Sequence, residues 1–196
     1  PLVKKNIYNL KKSIKINDKF TILIVGGSQG ANIFDGNLKK SIINISKKNP
    51  IKIIHQTGER NIHSLTDLYS KNRIESKIFS FDKDFVQYIK EADLCITRAG
   101  ASTLAELSVM NTPFVAVPLP TSKDNHQMEN ANFYKENDSC WIIDQNNFEE
   151  KIEKFLIDIL NNKSDYLNKK ENLKKLNYQK TWINVNKKIL EIINEN

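Results

Sequence analysis

The segment "GGSQGA" at residues 26–31 follows a branched apolar run and has the composition of an anion-binding turn. Small residues let a ligand approach the backbone, and a helix that begins after such a turn directs free N–H groups and its positive dipole end at the ligand. Gly26, Gly27 and Gly30 permit this approach, and the Ser28 hydroxyl can donate another hydrogen bond. The spacing matches neither GxGxxG nor a P-loop. The turn therefore favours phosphate contact, with a plain tight turn as the alternative.

A second polar cluster lies in "CITRAGASTLAEL", residues 95–107. A predicted strand ends before Arg98, and a helix is expected to begin at Ser102 or Thr103. Glu106 then lies within the first turns of that helix, and a carboxylate there can accept two hydrogen bonds from the adjacent hydroxyls of a ribose. Glu106 can equally complete a capping box with Ser102 or Thr103. The residues alone leave both interpretations open.

A third cluster lies in "VPLPTSKDNHQMENA", residues 117–131, where a strand is predicted to end at Pro118. A polar loop then leads to a helix near Asn125. The Gln127 amide can hydrogen-bond sugar hydroxyls, which need neutral donors and acceptors. His126 lies beside it, although a lone histidine is more often structural than catalytic.

Short apolar runs alternate with segments of helical periodicity, and this order predicts an α/β fold with a doubly wound parallel sheet of about six strands. Each of the three polar clusters follows the carboxyl end of a strand, which is where open α/β sheets bind ligands. The C-terminal stripe formed by Trp182, Val185, Ile189 and Ile192 is predicted to pack in the core. The predicted strands are Phe20–Val25, Ile51–His55, Lys77–Phe81, Leu94–Thr97, Phe114–Pro118 and Cys140–Ile143.

Charge, cysteine spacing and the length of the apolar runs argue against several classes of protein. The net charge is +7, but the lysines are scattered among acids, which is typical of solvated faces. Cys95 and Cys140 have neither metal-ligand nor redox spacing and are predicted to be buried free thiols. No apolar run approaches the roughly 18 residues that a membrane span needs. The chain begins with Pro1 rather than Met, so we expect it to be a piece of a longer protein.

Four ordered stretches, "GGSQGA", "TRAGASTLAEL", "TPFVAVPLP" and "KDNHQMENA", together closely resemble the C-terminal half of the MurG family of N-acetylglucosamine transferases. The resemblance covers almost the whole chain. It implies half of a GT-B fold, in which two Rossmann-like domains face each other and the C-terminal one binds the sugar-nucleotide donor. The implied reaction is inverting transfer of N-acetylglucosamine from UDP to lipid I, which gives lipid II in peptidoglycan synthesis, and no cofactor or metal is implied.

The resemblance implies a role for each matching position. The turn around Ser28 would bind the diphosphate, Glu106 would bind the ribose, and Gln127 would contact the N-acetylglucosamine. Backbone groups at Asp82, which follows Phe81, would read the uracil. The full implied set of substrate-binding residues is Gly26, Gly27, Ser28, Gln29, Gly30, Asp82, Arg98, Gly100, Ala101, Ser102, Thr103, Leu104, Ala105, Glu106 and Gln127.

The chain departs from the family near the domain junction. Val3 takes the place of a family arginine, so that donor contact is lost unless the neighbouring Lys4 supplies the charge. The resemblance divides the chain into a junction segment (1–19), a UDP-sugar domain (20–163) and C-terminal helices packing on it (164–196). It places the general base in the N-terminal domain, so no residue here is assigned to catalysis and the chain alone is expected to be inactive.

The resemblance also implies partners and a location. The partners would be UDP-N-acetylglucosamine, lipid I through the N-terminal domain, and the cytoplasmic face of the bacterial membrane. Three alternatives stay open: a stand-alone donor-binding subunit, a UDP-N-acetylglucosamine epimerase of the same architecture, and a nucleic-acid-binding domain. The last lacks any recognisable helix-turn-helix, zinc or base-stacking motif, so no nucleic-acid partner is expected.

Overall fold

The computed structural model describes residues 3, 7, 19–26, 32–179 and 182–194. In this part of the chain, six parallel strands form one sheet in the order β3-β2-β1-β4-β5-β6. The strands are β1 (Phe20–Val25), β2 (Ile51–Gln56), β3 (Glu75–Phe79), β4 (Leu94–Thr97), β5 (Phe114–Ala116) and β6 (Trp141–Ile142).

Helices connect the strands and cover both faces of the sheet. They are α1 (Lys39–Ser46), α2 (Ile62–Lys71), α3 (Phe85–Glu91), α4 (Ala101–Val109), α5 (His126–Glu136), α6 (Phe148–Asn161), α7 (Lys163–Gln179) and α8 (Trp182–Asn194). A π-helical segment, Phe34–Leu38, leads directly into α1. No helix of the described residues is long and apolar enough to span a bilayer.

The central strands are apolar at almost every position because helices bury both of their faces. Leu23 and Val25 of β1 belong to one core layer, whereas Ile22 and Ile24 belong to the other. The first layer lies against α3, α4, α5 and α7, and the second lies against α1, α2 and α6. Because successive side chains of a strand point to opposite faces of the sheet, one continuous apolar run contributes residues to both core layers.

The doubly wound parallel sheet predicted from the sequence is confirmed, with corrected bounds for four of the six strands. Strand β2 extends to Gln56 rather than His55, and β3 begins at Glu75 rather than Lys77. Strand β3 ends at Phe79 rather than Phe81, because the chain leaves the sheet there and exposes 78% of Phe81. Strand β5 ends at Ala116 rather than Pro118, and β6 is limited to Trp141–Ile142. Short edge pairing explains the brevity of β6, which bonds only to β5.

The C-terminal stripe does not behave as predicted. In α8, Ile189 and Ile192 are 44% and 61% exposed. Neither isoleucine belongs to one of the two core layers, and the side chains of Trp182 and Val185 lie outside the described part of the structure. Prediction of core packing for these two isoleucines was wrong.

Candidate functional site

The candidate site lies at the carboxyl edge of the sheet, between β1 and β4. Strand order changes direction here, because the chain leaves β1 toward β2 on one side and leaves β4 toward β5 on the other. The last residues of the two strands, Val25 and Thr97, are paired in register, and the Arg98 N–H donates to the Val25 carbonyl at 3.3 Å. Gly26 and Arg98, the first residues after the two strands, consequently lie at the crevice between the carboxyl ends of β1 and β4, the usual ligand site of open α/β sheets.

Gly26 is buried directly after β1 and opens the glycine turn. The predicted residues Gly27, Ser28, Gln29 and Gly30 lie outside the described residues. The chain is described again as a helix from residue 32. A turn that joins a buried strand to the start of a helix has the connectivity of an anion site. Because the four predicted residues are not described, the phosphate role of the turn stays a prediction.

Arg98 is half-buried in the crevice wall and is held by two groups. Its Nη1 donates to the Val117 carbonyl at 3.1 Å, and its guanidinium lies 5.5 Å from the centroid of the Phe34 ring. Burial lowers the pKa of the guanidinium from its ordinary value. The structure thus holds a partly desolvated cation at the same edge of the sheet as Gly26, and such a cation attracts anions more strongly than a solvated one.

The helix after β4 begins one or two residues earlier than predicted. Helix α4 starts at Ala101 with the extended residue Gly100 as its N-cap, and no side chain caps it. The capping-box alternative is therefore wrong, since Ser102 and Thr103 lie inside the helix. Asn130 of α5 donates to the Ala99 carbonyl at 3.1 Å and holds the loop from the other side.

The predicted residues of α4 divide into two groups by burial. Leu104 and Ala105 are buried in the core, so their side chains cannot reach a ligand. Ser102 is exposed, whereas Thr103 and Glu106 are partly exposed. Glu106 follows Ser102 by four positions and Thr103 by three, so the three polar side chains share one helix face. That face is where a ribose contact by Glu106 would have to form.

Gln127 lies in the first turn of α5, and its side chain is already oriented. Its Oε1 accepts a hydrogen bond from the Leu119 backbone N–H at 3.0 Å. This bond fixes the carbonyl end of the amide and leaves Nε2 to donate to a ligand. The neighbouring His126 is exposed, with Nδ1 2.5 Å from the Lys123 carbonyl, so its contact stays within its own turn.

Asp82 lies in the loop after β3, where its carboxylate serves the loop itself. It accepts hydrogen bonds from the Tyr88 hydroxyl and from the Asp84 backbone N–H, the second at 2.8 Å. The Tyr88 bond, followed by the Asp84 bond, lowers the pKa of Asp82. Because the carboxylate is already hydrogen-bonded within the loop, a contact with a base would have to come from the backbone of Asp82.

Two junction residues were also predicted to bear on the site. Val3 is 5% exposed and belongs to the same core layer as Leu173 and Leu176 of α7. Its side chain therefore contributes packing rather than ligand contact. Lys4 lies outside the described residues.

A buried polar network beside the crevice was missed by the sequence analysis. The Asp35 carboxylate accepts hydrogen bonds from the Thr57 hydroxyl at 2.7 Å and the Asn61 amide at 2.8 Å. Its other oxygen lies 3.2 Å from His55 Nε2, and His55 Nδ1 lies 3.1 Å from the Tyr69 hydroxyl. The available signal was the run His55-Gln56-Thr57, consecutive polar residues at the end of β2 and directly after it.

Comparison with known proteins identifies the family. The model of the glycosyltransferase family 28 C-terminal domain matches residues 21–183, which include both loops of the crevice. The chain belongs to glycosyltransferase family 28. The predicted resemblance is thereby confirmed, and the fold alone could not have decided it.

Two sequence relatives within family 28 carry the same name, UDP-N-acetylglucosamine--N-acetylmuramyl-(pentapeptide) pyrophosphoryl-undecaprenol N-acetylglucosamine transferase. The one from Pelagibacter ubique is 47% identical over 196 residues, covering 100% of this chain and 55% of the relative. The one from Sulfurovum is 44% identical over 123 residues, covering 63% of this chain and 36% of the relative. The chain thus spans about half the length of the first of these curated relatives.

Solved structures show how widely the fold is shared. MurG from Acinetobacter baumannii matches with a TM-score of 0.72 and 27% identity, covering 87% of this chain and 48% of that one. UDP-GlcNAc 2-epimerase from Neisseria meningitidis, bound to UDP-GlcNAc, matches with a TM-score of 0.65 at 15% identity, covering 93% and 46%. The second likeness shows only the fold, which both a transferase and an epimerase use.

Proposed function

We propose that this chain is the donor-binding half of an inverting glycosyltransferase that moves N-acetylglucosamine from UDP-N-acetylglucosamine to lipid I, giving lipid II. The observation that carries the proposal is the pairing of the ends of β1 and β4, which brings Gly26 and Arg98, the first residues after these strands, to the same carboxyl edge of the sheet. The family membership and the name of the Pelagibacter relative support this choice of substrate.

The polar groups of the crevice suit the parts of a nucleotide sugar. The glycine turn at Gly26–Gly30, with Ser28, binds the diphosphate through backbone N–H groups, and Arg98 adds a positive charge. Glu106 accepts hydrogen bonds from the ribose hydroxyls on the polar face of α4. The Asp82 backbone reads the uracil.

Gln127 completes the site at the sugar end. Because its Oε1 is occupied by the Leu119 N–H, it acts as a donor toward oxygens of the N-acetylglucosamine. Around the ribose, Gly100, Ala101, Ser102 and Thr103 provide backbone and hydroxyl groups at the start of α4. Leu104 and Ala105 support this surface from the core side, since both are buried.

These roles fit the demands of the reaction. An acceptor hydroxyl attacks the anomeric carbon, the bond to the diphosphate oxygen breaks, and UDP leaves with the bonding electrons. The negative charge that grows on the departing diphosphate is stabilised by the backbone N–H groups of the turn and by Arg98. The general base and the lipid I site are assigned to the part of the relatives that this chain does not cover. The same proposal places the transferase at the inner surface of the bacterial membrane.

Calorimetric titration with UDP-N-acetylglucosamine, UDP and UDP-glucose tests donor binding directly. Glu106→Gln tests the ribose contact most directly, because it keeps the side-chain shape while removing the charge that strengthens both ribose hydrogen bonds. Loss of these charge-assisted bonds should weaken UDP binding by roughly tenfold or more. Ser102→Ala, on the same face of α4, is the matched control with a smaller expected effect.

Two outcomes would contradict the proposal. A folded chain that shows no heat and no NMR shift changes with millimolar UDP would remove the donor-binding role. Equal affinity of the unaltered chain and Glu106→Gln would remove the ribose assignment alone. Product analysis after adding the remainder of the protein would separate transfer from epimerisation.

A further inference from the structure

The Asp35 network occupies a particular place relative to the glycine turn. Asp35 lies in the π-helical segment Phe34–Leu38, about one turn into the helix that follows residues 26–31. Helix N–H groups bind an anion through their position, so a contact that holds the start of this helix also holds the N–H groups that would face an anion there.

Within the described residues, the partners of the Asp35 carboxylate come from the end of β2 and from the loop after it. Thr57 and Asn61 donate to Oδ2 at 2.7 and 2.8 Å, and His55 Nε2 lies 3.2 Å from Oδ1. His55 is 0% exposed and the Asp35 side chain is 12% exposed, so water does not compete strongly for these contacts. The carboxylate therefore ties the start of the helix to the edge of the sheet.

The adjacent residue, Phe34, holds the same segment by a different contact. Its ring is fully buried, packs on Phe148 at 5.5 Å, and lies 5.5 Å from the Arg98 guanidinium. Phe34 thus joins the segment to the β4 side of the crevice, while Asp35 joins it to the β2 side. The π-helical turn, a feature often found near functional sites, carries two neighbouring side chains to these two anchors.

We propose that Asp35 is a positioning residue for the donor diphosphate: its carboxylate, hydrogen-bonded by Thr57 and Asn61 and lying beside His55, fixes the start of the helix whose N–H groups face the diphosphate in the proposed function. Asp35 does not touch the donor in this arrangement. The inference rests on the proposed donor-binding function and adds a residue to it.

The test compares ligands that differ only in their phosphates. NMR titrations of the 196-residue chain with UDP and with uridine report separately on the phosphate turn and on the base and ribose contacts. In Asp35→Ala, UDP affinity should fall by roughly tenfold, since one charged hydrogen-bond anchor is lost, while uridine affinity changes less than about twofold. A purely structural defect would weaken both ligands together.

Three further variants make the comparison decisive. Asp35→Asn keeps an amide oxygen for Thr57 and Asn61 and should restore UDP affinity to within about threefold of the unaltered chain. Tyr69→Phe is the matched control, because it removes the hydroxyl on the far side of His55 and should leave the UDP-to-uridine ratio unchanged. Should Asp35→Ala fail to fold, Thr57→Val removes a single bond to the same oxygen and should show the same UDP-selective loss.

The possible failures are distinguishable. No UDP binding by the unaltered chain would overturn the proposed function and this inference with it. UDP binding that folded Asp35→Ala retains, or loses in the same proportion as uridine, would overturn the inference and leave the proposed function standing.

Discussion

The contact between Phe34 and Arg98 makes a prediction whose magnitude can be worked from the structure. We consider Phe34→Leu, which keeps most of the apolar volume of a fully buried side chain but removes the ring. It should cost less than the roughly 3–5 kcal/mol of a phenylalanine-to-alanine change in a core. Loss of the aromatic pair with Phe148 accounts for about 0.5–1.5 kcal/mol. Loss of the cation–π contact with half-buried Arg98 adds about 1 kcal/mol.

A double-mutant cycle isolates the second of these energies. Urea unfolding of Phe34→Leu, Arg98→Met and the double variant should give a coupling free energy of about 1 kcal/mol. Phe148→Leu is the matched control, because it loses the same aromatic pair but is not in contact with the guanidinium among the ring contacts described. Its coupling to Arg98 should be below about 0.3 kcal/mol.

The same variants separate stability from ligand binding. If the ring orients Arg98 toward the diphosphate, Phe34→Leu should also weaken UDP binding by roughly fivefold, the equivalent of about 1 kcal/mol, whereas Phe148→Leu should not. A coupling for Phe34 and Arg98 no larger than that of the control would refute the argument. The guanidinium would then be held by the Val117 carbonyl alone.

Other predictions concern titration, thiol chemistry and the opposite edge of the sheet. Burial alone would raise the pKa of Asp35, but its contacts with His55, Thr57 and Asn61 outweigh burial and hold the pKa below 3.8. This stabilisation is present above that value and is lost as the pH falls through the lower folded pKa, so urea unfolding between about pH 6 and pH 3 should show a shallower loss for Asp35→Asn than for the unaltered chain. Burial raises the pKa of the Cys95 thiol well above its ordinary value and that of Cys140 to about 12, so Ellman's reagent at about pH 8 should label neither until the chain unfolds. Tyr166→Phe removes the hydrogen bond to the Asp93 carbonyl (3.1 Å) and should cost about 1 kcal/mol in urea unfolding, with UDP affinity unchanged.

The sheet and the location of its crevice could be predicted because both depend on local patterns. Continuous apolar runs mark buried parallel strands, and small or polar residues directly after them mark the carboxyl edge. β1 and β4 have the predicted bounds for this reason. At β3 the alternating exposure of an edge strand weakens the pattern, so Ser80 and Phe81 could not be separated from the strand by composition.

The Asp35 network could not be predicted, since its bonds join residues far apart in the chain. Thr57 and Asn61 follow Asp35 by 22 and 26 positions, and no local spacing links an acid in a helix to a threonine after another strand. The predicted start of α4 was wrong for a related reason. Gly100 has no side chain to cap a helix, so capping rules favoured Ser102 and Thr103, although the backbone turns at Gly100.

The missed Asp35 network and the missed helix start at Gly100 both concern segments next to glycines. A glycine-rich turn has few side chains with which to hold its own shape, so the anchoring of the helix that follows it becomes important. The helix described from residue 32 is anchored on two sides, by Asp35 to Thr57 after β2 and by Phe34 to Arg98 after β4. In the proposed function, backbone donors at the start of an anchored helix would need little reorganisation when charge develops on a leaving diphosphate, which is the condition for effective electrostatic stabilisation. Under that proposal, Asp35 contributes to donor binding without touching the ligand.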